Sequence, residues 1–189
     1  MLFAGKSYEN LKFATMKSEN TNNENIRTEF HRFFVEQLKD IYWAEKHLKK
    51  GLRKMRKAAT SPKLAAAFEK HYNESDKQEA TLEQIFALMG EEPQTKRCEA
   101  MAGLLKEVEE MIDDTEKNSF VRDAGLILAA QKVEHYEIAT YGTLRTLAAY
   151  LPEKKIKRML EGILAGEKKT DEALTKMAED FVNECAAVE

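Results

Sequence analysis

The chain has 189 residues, a net charge of −3 and few glycines (8) or prolines (3). That length suits one domain with one sizeable core, and the abundance of Ala, Leu, Glu and Lys favours long helices. The charge gives no overall case for nucleic-acid or membrane binding, and Cys98 and Cys185 are too isolated for a disulfide framework or a cysteine metal site. There is no apolar run of bilayer length and no apolar leader, so a cytoplasmic protein with two reduced thiols is expected.

Residues 1–26 read as a flexible extension that ends in the polar run SENTNNEN, with Met16 as a second plausible start. The folded domain is expected over 27–185. A first helix is predicted over about 28–59, with Phe34, Leu38, Ile41, Glu45, Leu48, Leu52 and Met55 on one stripe. Ser61-Pro62 ends it and opens a second helix, proline fitting a first turn. The second stripe carries Leu64, Phe68, His71, Glu74 or Ser75, Gln78, Leu82, Ile85 and Met89, and the helix stops at Gly90.

Residues 90–120 contain their own amphipathic stretch, CEAMAGLLKEVEEMIDD. A third helix follows over 120–150, with Ile127, Gln131, Glu134, Ile138 and Tyr141 spaced toward a core. After Leu151-Pro152 a fourth carries Ile156, Met159 or Leu160, Ile163, Glu167, Asp171, Leu174, Met177 and Phe181. The first–second and third–fourth connections are short, so each pair forms an antiparallel hairpin. A helical link of about 18 residues reaches about 27 Å. The prediction is an all-α protein, an antiparallel four-helix bundle with a long, partly helical crossover.

Each long helix interrupts its stripe with a glutamate: Glu45, Glu74, Glu134 and Glu167, with Glu137 one turn beyond Glu134. An unpaired carboxylate in an apolar interior costs several kcal/mol. A salt-bridged or bundle-end glutamate explains any one of them, but four together point to a shared purpose. The two halves also echo each other: AEKHL aligns with VEHYEI, and ESDKQEATL with EKKTDEALT, which matches Glu74 to Glu167 and Gln78 to Asp171. Two hairpins related by a pseudo-two-fold axis bring the four glutamates to one level. Carboxylates that converge need cations, and oxygen ligands of this kind suit iron or manganese.

The stretches QLKDIYWAEKHL, CEAMAGLL, VRDAGLILAAQKVEHYEIATYGTLRTLA and EKKTDEALTKMAE, with most of residues 58–93, resemble the ferritin-like superfamily and more closely the YciE/YciF type of bacterial stress proteins. The resemblance covers nearly everything from about residue 30 to 180. It implies a ferritin-like bundle, a homodimer and a dinuclear metal site. In the superfamily pattern two helices supply one Glu each and two supply Glu-x-x-His. Glu45 and Glu134 match the single glutamates, and Glu74 and Glu167 match the glutamates of the paired motif. The histidines are replaced, since Lys77 and Thr170 stand three residues on. Gln78 and Asp171 lie one turn on, His71 lies one turn back from Glu74, and Glu137 resembles the second carboxylate of the Glu-x-x-Glu of rubrerythrins. The expected ligand set is therefore Glu45, Glu74, Glu134, Glu137, Glu167, Asp171, His71 and Gln78, around two Fe or Mn ions. The altered motif puts ferroxidase or peroxidase activity in doubt, but not the metal.

His135 lies off the carboxylate stripe and reads as a surface or interhelical residue, and His47 and His31 read as solvated. Tyr42, Tyr136 and Tyr141 are near enough in register to hydrogen-bond the carboxylates. The basic run KHLKKGLRKMRK is read as a solvated helix face rather than a DNA contact. Trp43 shares a charged face with Glu36, Lys39, Lys46 and Lys50, where a tryptophan is a candidate anchor for a partner. Three functions fit: a redox enzyme that acts on peroxide, oxygen or Fe(II) during stress; a metal-binding protein without turnover; and a dimeric helical scaffold.

Overall fold

The computed structural model describes the backbone over residues 21–189 and side chains from residue 29. The extension read over 1–26 lies, up to residue 20, outside the described residues. Two compact units result, Met1–Val35 and Glu36–Glu189. The first holds the start of helix α1; the bundle and its centre lie in the second.

Helix α1 is Thr21–Ala58, so it begins at Thr21 rather than near residue 28. Helix α2, Pro62–Met89, opens on Ser61, whose side chain accepts from Leu64 N–H, with Pro62 in the first turn. It ends at Gly90, whose φ of 74° is left-handed; the N–H groups of Gly90 and Glu91 return to Ala87 and Phe86 carbonyls and close the helix. Helix α3, Glu99–Asp114, is the crossover element. Helix α4, Phe120–Leu147, is capped by Ser119 and followed by a single 3₁₀ turn, Ala148–Tyr150, so its α-helical part stops short of residue 150. Helix α5, Lys154–Met177, continues through a π-turn, Ala178–Val182, into the short α6, Asn183–Ala187. All regular structure among the described residues is helical, and no described helix is long and apolar enough to cross a membrane.

The hairpins form as expected. Pairs across α1 and α2 run in opposite senses: Tyr42 Oη donates to Glu83, Lys49 pairs with Asp76, and Arg53 reaches Tyr72. The crossover returns beside α1 in the same direction. Lys96 N–H bonds the Lys39 carbonyl, Leu105 fills the space left by Gly51, and Lys54 pairs with Glu109. The absent side chain at Gly51, and likewise at Gly125 against Met111, lets α3 lie close on α1 and α4. Helix α4 then runs antiparallel to α3, with Lys132 paired to Glu107.

Two buried charges lock the ends of the elements. Asp123 accepts from the N–H groups of Thr60 and Ser61, both at 2.7 Å, tying the α1–α2 turn to α4. Arg122 donates to the Ile112 and Thr115 carbonyls and to Thr115 Oγ1, which satisfies the end of α3. The core between the helices contains Leu38, Ile41, Leu48, Leu52, Met55, Leu64, Phe68, Leu82, Ile85, Leu126, Ile127, Leu160 and Leu174, all buried. Most of the basic run on α1 is engaged on the surface: Lys46 and Lys49 with Glu79, Lys54 with Glu109, Arg56 with Glu69.

Candidate metal centre

Three helices turn acid into the middle of this core, and a fourth turns in a histidine. Glu45 (α1), Glu134 and Glu137 (α4) are 0% exposed, Glu167 (α5) 1%, and His71 (α2) 2%. His71, Glu134, Glu137 and Glu167 each offer a ligand atom, and those atoms all lie within 4.8 Å of one another. His71 Nδ1 is 2.9 Å from Glu134 Oε1, and its Nε2 is 3.8 Å from Glu137 Oε2 and 3.7 Å from Glu167 Oε2. The imidazole therefore sits between three carboxylates.

The polar atoms around the cluster differ in what they are offered. Glu45 is fully engaged: Ser75 Oγ and Tyr141 Oη donate to its two oxygens, each at 2.5 Å. Gln78 Nε2 donates to Glu167 Oε1. By contrast His71 Nε2, Glu134 Oε2, both oxygens of Glu137 and Gln78 Oε1 are buried with no hydrogen-bond partner. Leaving such groups unmatched costs on the order of 1–3 kcal/mol each, more when charged. Each is a lone-pair donor atom, or becomes one when deprotonated. Hard carboxylate oxygens with one imidazole nitrogen form a donor set suited to iron or manganese, and the residues present fit such an ion.

Electrostatics say the same. Burial raises the pKa of Glu45 despite its bonds to Ser75 and Tyr141. Burial, then repulsion from Glu45, Glu167 and Glu134, holds Glu137 well above the usual carboxylate range. Burial, with Glu45 and Glu134 adding repulsion, pushes Glu167 up to about 10. Burial opposes protonation of His71, but Glu134 and then Glu45 and Glu74 outweigh it and raise its pKa. Without a cation, the cluster holds protons that ordinary glutamates would have lost.

The expected ligand set is thus divided. His71, Glu134, Glu137 and Glu167 form the cluster, with Glu45 and Gln78 bonded against it. Glu74 is not on the buried stripe. Ser75 is, and the Glu74 side chain is 32% exposed and pairs with Lys70 at 3.3 Å. Asp171 lies outside as well, accepting from Gln131 at 3.1 Å and facing the exposed His135 at 3.4 Å. Of the three tyrosines expected near the carboxylates, Tyr141 bonds Glu45, whereas Tyr42 serves Glu83 and Tyr136 serves Asp40. Trp43 is half-buried and stacks on His47 at 3.7 Å. Ser75 is the contact that sequence reading left undecided. The signal was present: Leu64, Phe68, His71, Ser75, Gln78 and Leu82 alternate steps of four and three residues, and Glu74 breaks that alternation.

The sequence as a whole carries a clear relationship. A family described as "Domain of unknown function (DUF892)" matches residues 29–187. The chain belongs to that family. Among its relatives, protein YciF of Escherichia coli (strain K12) is 46% identical over 157 residues, which cover 81% of this chain and 92% of YciF. The crystal structure of the E. coli stress protein YciF superposes with a TM-score of 0.77 at 44% identity, covering 82% of this chain and 97% of that one. YcfI of Rhodopseudomonas palustris, described as a candidate structural protein, gives a TM-score of 0.74 at 37% identity, covering 77% of this chain and 92% of its own. A protein of Xanthomonas campestris shares the fold, with a TM-score of 0.67 at 23% identity over 82% and 95% of the two chains. The DUF892 fold is the four-helix bundle with crossover described above, and the family match spans every residue of the cluster.

Proposed function

We propose that this chain is a stress-response protein of ferritin-like type that holds two Fe or Mn ions in the bundle core and handles peroxide, oxygen or iron. One observation carries the reading: four buried ligand atoms gather within 4.8 Å, and most of their lone pairs have no hydrogen-bond partner. The likeness to the E. coli stress protein YciF supports the setting, and the free thiols Cys98 and Cys185 fit a cytoplasmic place.

When bound, such a metal pair supplies one-electron redox chemistry toward peroxide or dioxygen. The protein's own part is positional. Glu134, Glu137, Glu167 and His71 hold the ions, and Gln78 fixes the orientation of Glu167 through its amide N–H. Ser75 and Tyr141 hold Glu45 against the cluster from the side of α1. The surrounding apolar side chains limit access of water, and without metal His71 can hold a proton at Nε2 between Glu137 and Glu167.

The test is metal content by plasma mass spectrometry after reconstitution of the purified chain with Fe(II) and Mn(II). Up to about two ions per chain are expected, as in dinuclear carboxylate bundles; less than about a tenth of an equivalent would contradict the reading. Glu134→Ala should lose more metal than His135→Ala, because His135 is 71% exposed and outside the cluster. A second reading, a helical scaffold without a working centre, is favoured by the description of the R. palustris relative. Absence of metal in the same assay would leave this reading standing and remove the first. Bound metal without peroxide turnover would instead leave a metal-binding protein.

A homodimer is expected in solution, with Trp43 at or near the contact. Light scattering at micromolar concentration should give twice the chain mass of 21.7 kDa. A monomer at that concentration would rule it out.

A further inference from the structure

The cluster is closed on most sides but not between α2 and α5. A groove of about 420 Å³ runs over that seam, bordered by Glu74, Gln78, Gly162 and Gly166 among others. A smaller cavity of about 40 Å³ continues along the same seam beside His71, Glu74 and Thr170. The groove exists because α5 carries glycine at 162 and 166: a Cβ built at either position meets nothing within 4 Å. Two other sides are covered: Ser75, Lys49 and Glu79 occupy the α1–α2 seam, and α3 covers the side of α1 and α4. A groove on the outer face of α4 is lined by Leu128, Gln131, Lys132 and His135, none of them a member of the cluster.

The residues along this seam form a row of donor atoms from solvent to core. Glu74 lies at the mouth and borders both spaces. Its partner Lys70 is exposed, and a surface pair of this kind opens readily. One turn further in on either side are His71 and Gln78, each more than nine-tenths buried, with His71 Nε2 and Gln78 Oε1 lacking partners. Beyond Gln78 is Glu167, to which it donates. Lys77 and Arg158 also border the groove, but both are exposed, where counter-ions screen them.

We propose that this seam is the path by which divalent metal ions reach the buried carboxylates, with Glu74 as the carboxylate that first receives the ion and passes it to Gln78 and Glu167. Glu74 then serves loading rather than residence, which accounts for an acid next to the buried stripe but not on it. The inference rests on the metal-binding reading above and adds a route to it.

The test is the rate of Co(II) uptake by the metal-free full-length chain, read by the visible absorbance of bound Co(II) in a stopped-flow instrument. Gly162→Leu and Gly166→Leu place side chains in the open groove at helical positions that favour leucine over glycine, so the fold should survive, as thermal melts would verify. Both variants should take up Co(II), and release it to a chelator, at least about ten-fold more slowly than wild type, with the same final stoichiometry. Glu74→Gln should slow uptake while leaving the final amount bound unchanged. Refolding the glycine variants in the presence of Co(II) should load them fully, since the path is bypassed. Unchanged rates in all three variants, with full loading, would overturn the route and leave the metal site standing. If wild type refolded in Co(II) binds none, the metal reading itself fails and takes the route with it. A lower final stoichiometry in Glu74→Gln would make Glu74 a resident ligand and would also overturn the proposal.

Discussion

Replacing Glu137 by glutamine is expected to stabilise the metal-free protein at about pH 7.5 by about 2 kcal/mol, roughly 4–8 °C in Tm for a chain of this size. Both Glu137 oxygens are buried without partners, and Glu45, Glu167 and Glu134 repel its charge. Glutamine has nearly the same shape and no charge, so it removes the repulsion without opening a cavity. The wild-type pH profile should show the cause. Glu45, Glu137 and Glu167 all have folded-state pKa values above the unfolded reference, Glu167 up to about 10. The folded chain therefore binds more protons than the unfolded chain from about pH 4.5 upward, and the stability these groups contribute is lost as pH rises. The raised pKa of His71 acts in the same direction, since its contribution is present below about 6.5 and lost through the raised value. Metal-free wild type should thus melt lower at about pH 7.5 than at about pH 5.5, by roughly 5–10 °C if one proton separates the two states. Glu137→Gln should flatten that decline. Chelated wild type and variant melting in parallel across the range would show that the carboxylates do not interact.

Adding Mn(II) or Fe(II) should reverse the pH dependence and raise Tm. A bound cation favours the ionised carboxylates that the empty cluster resists. Binding only to the folded state, at 100 times Kd, stabilises by about 2.7 kcal/mol, equivalent to roughly 5–10 °C here. Protons compete with the metal, so the gain should be larger at about pH 7.5 than at about pH 5.5, and the metal-loaded profile should not decline across that interval. Glu137→Gln should lose most of the gain, because it removes one of the four clustered ligands. Metal-dependent differential scanning fluorimetry reads both effects. A Tm that ignores metal in wild type, or rises equally in the variant, would contradict the assignment.

Much of this site was legible in the residue pattern because buried stripes are strict. On α1, Glu45 sits in unbroken register with Leu38, Ile41, Leu48 and Leu52, and the structure buries all five. On α4, Glu134 and Glu137 both fall on the inner face. Glu74 shows where the reading stops. One residue turns a side chain by about 100° around a helix axis, so the choice between Glu74 and Ser75 decides between the groove edge and the core. An acid was expected in all four stripes, which favoured Glu74, whereas packing favoured the small serine that holds Glu45. Asp171 was misplaced for a related reason. The half-chain echo pairs it with Gln78, yet Gln78 faces Glu167 while Asp171 faces Gln131 and His135. The roles of Asp123 and Arg122 could not be read at all: Asp123 satisfies backbone groups some sixty residues away at the α1–α2 turn, and Arg122 satisfies carbonyls across the bend at the end of α3. Neither has a local pattern that betrays it.

The central claim is that His71, Glu134, Glu137 and Glu167 hold metal in the bundle core. The most direct measurement is anomalous X-ray scattering from crystals of the reconstituted protein, collected on both sides of the Fe and Mn absorption edges. The account predicts anomalous density among those four side chains, bordered by Glu45 and Gln78, and its loss in crystals of Glu137→Gln. Crystals grown from metal-replete protein with no anomalous density in the core, or with density only at carboxylates outside it such as Asp171 beside His135, would contradict it.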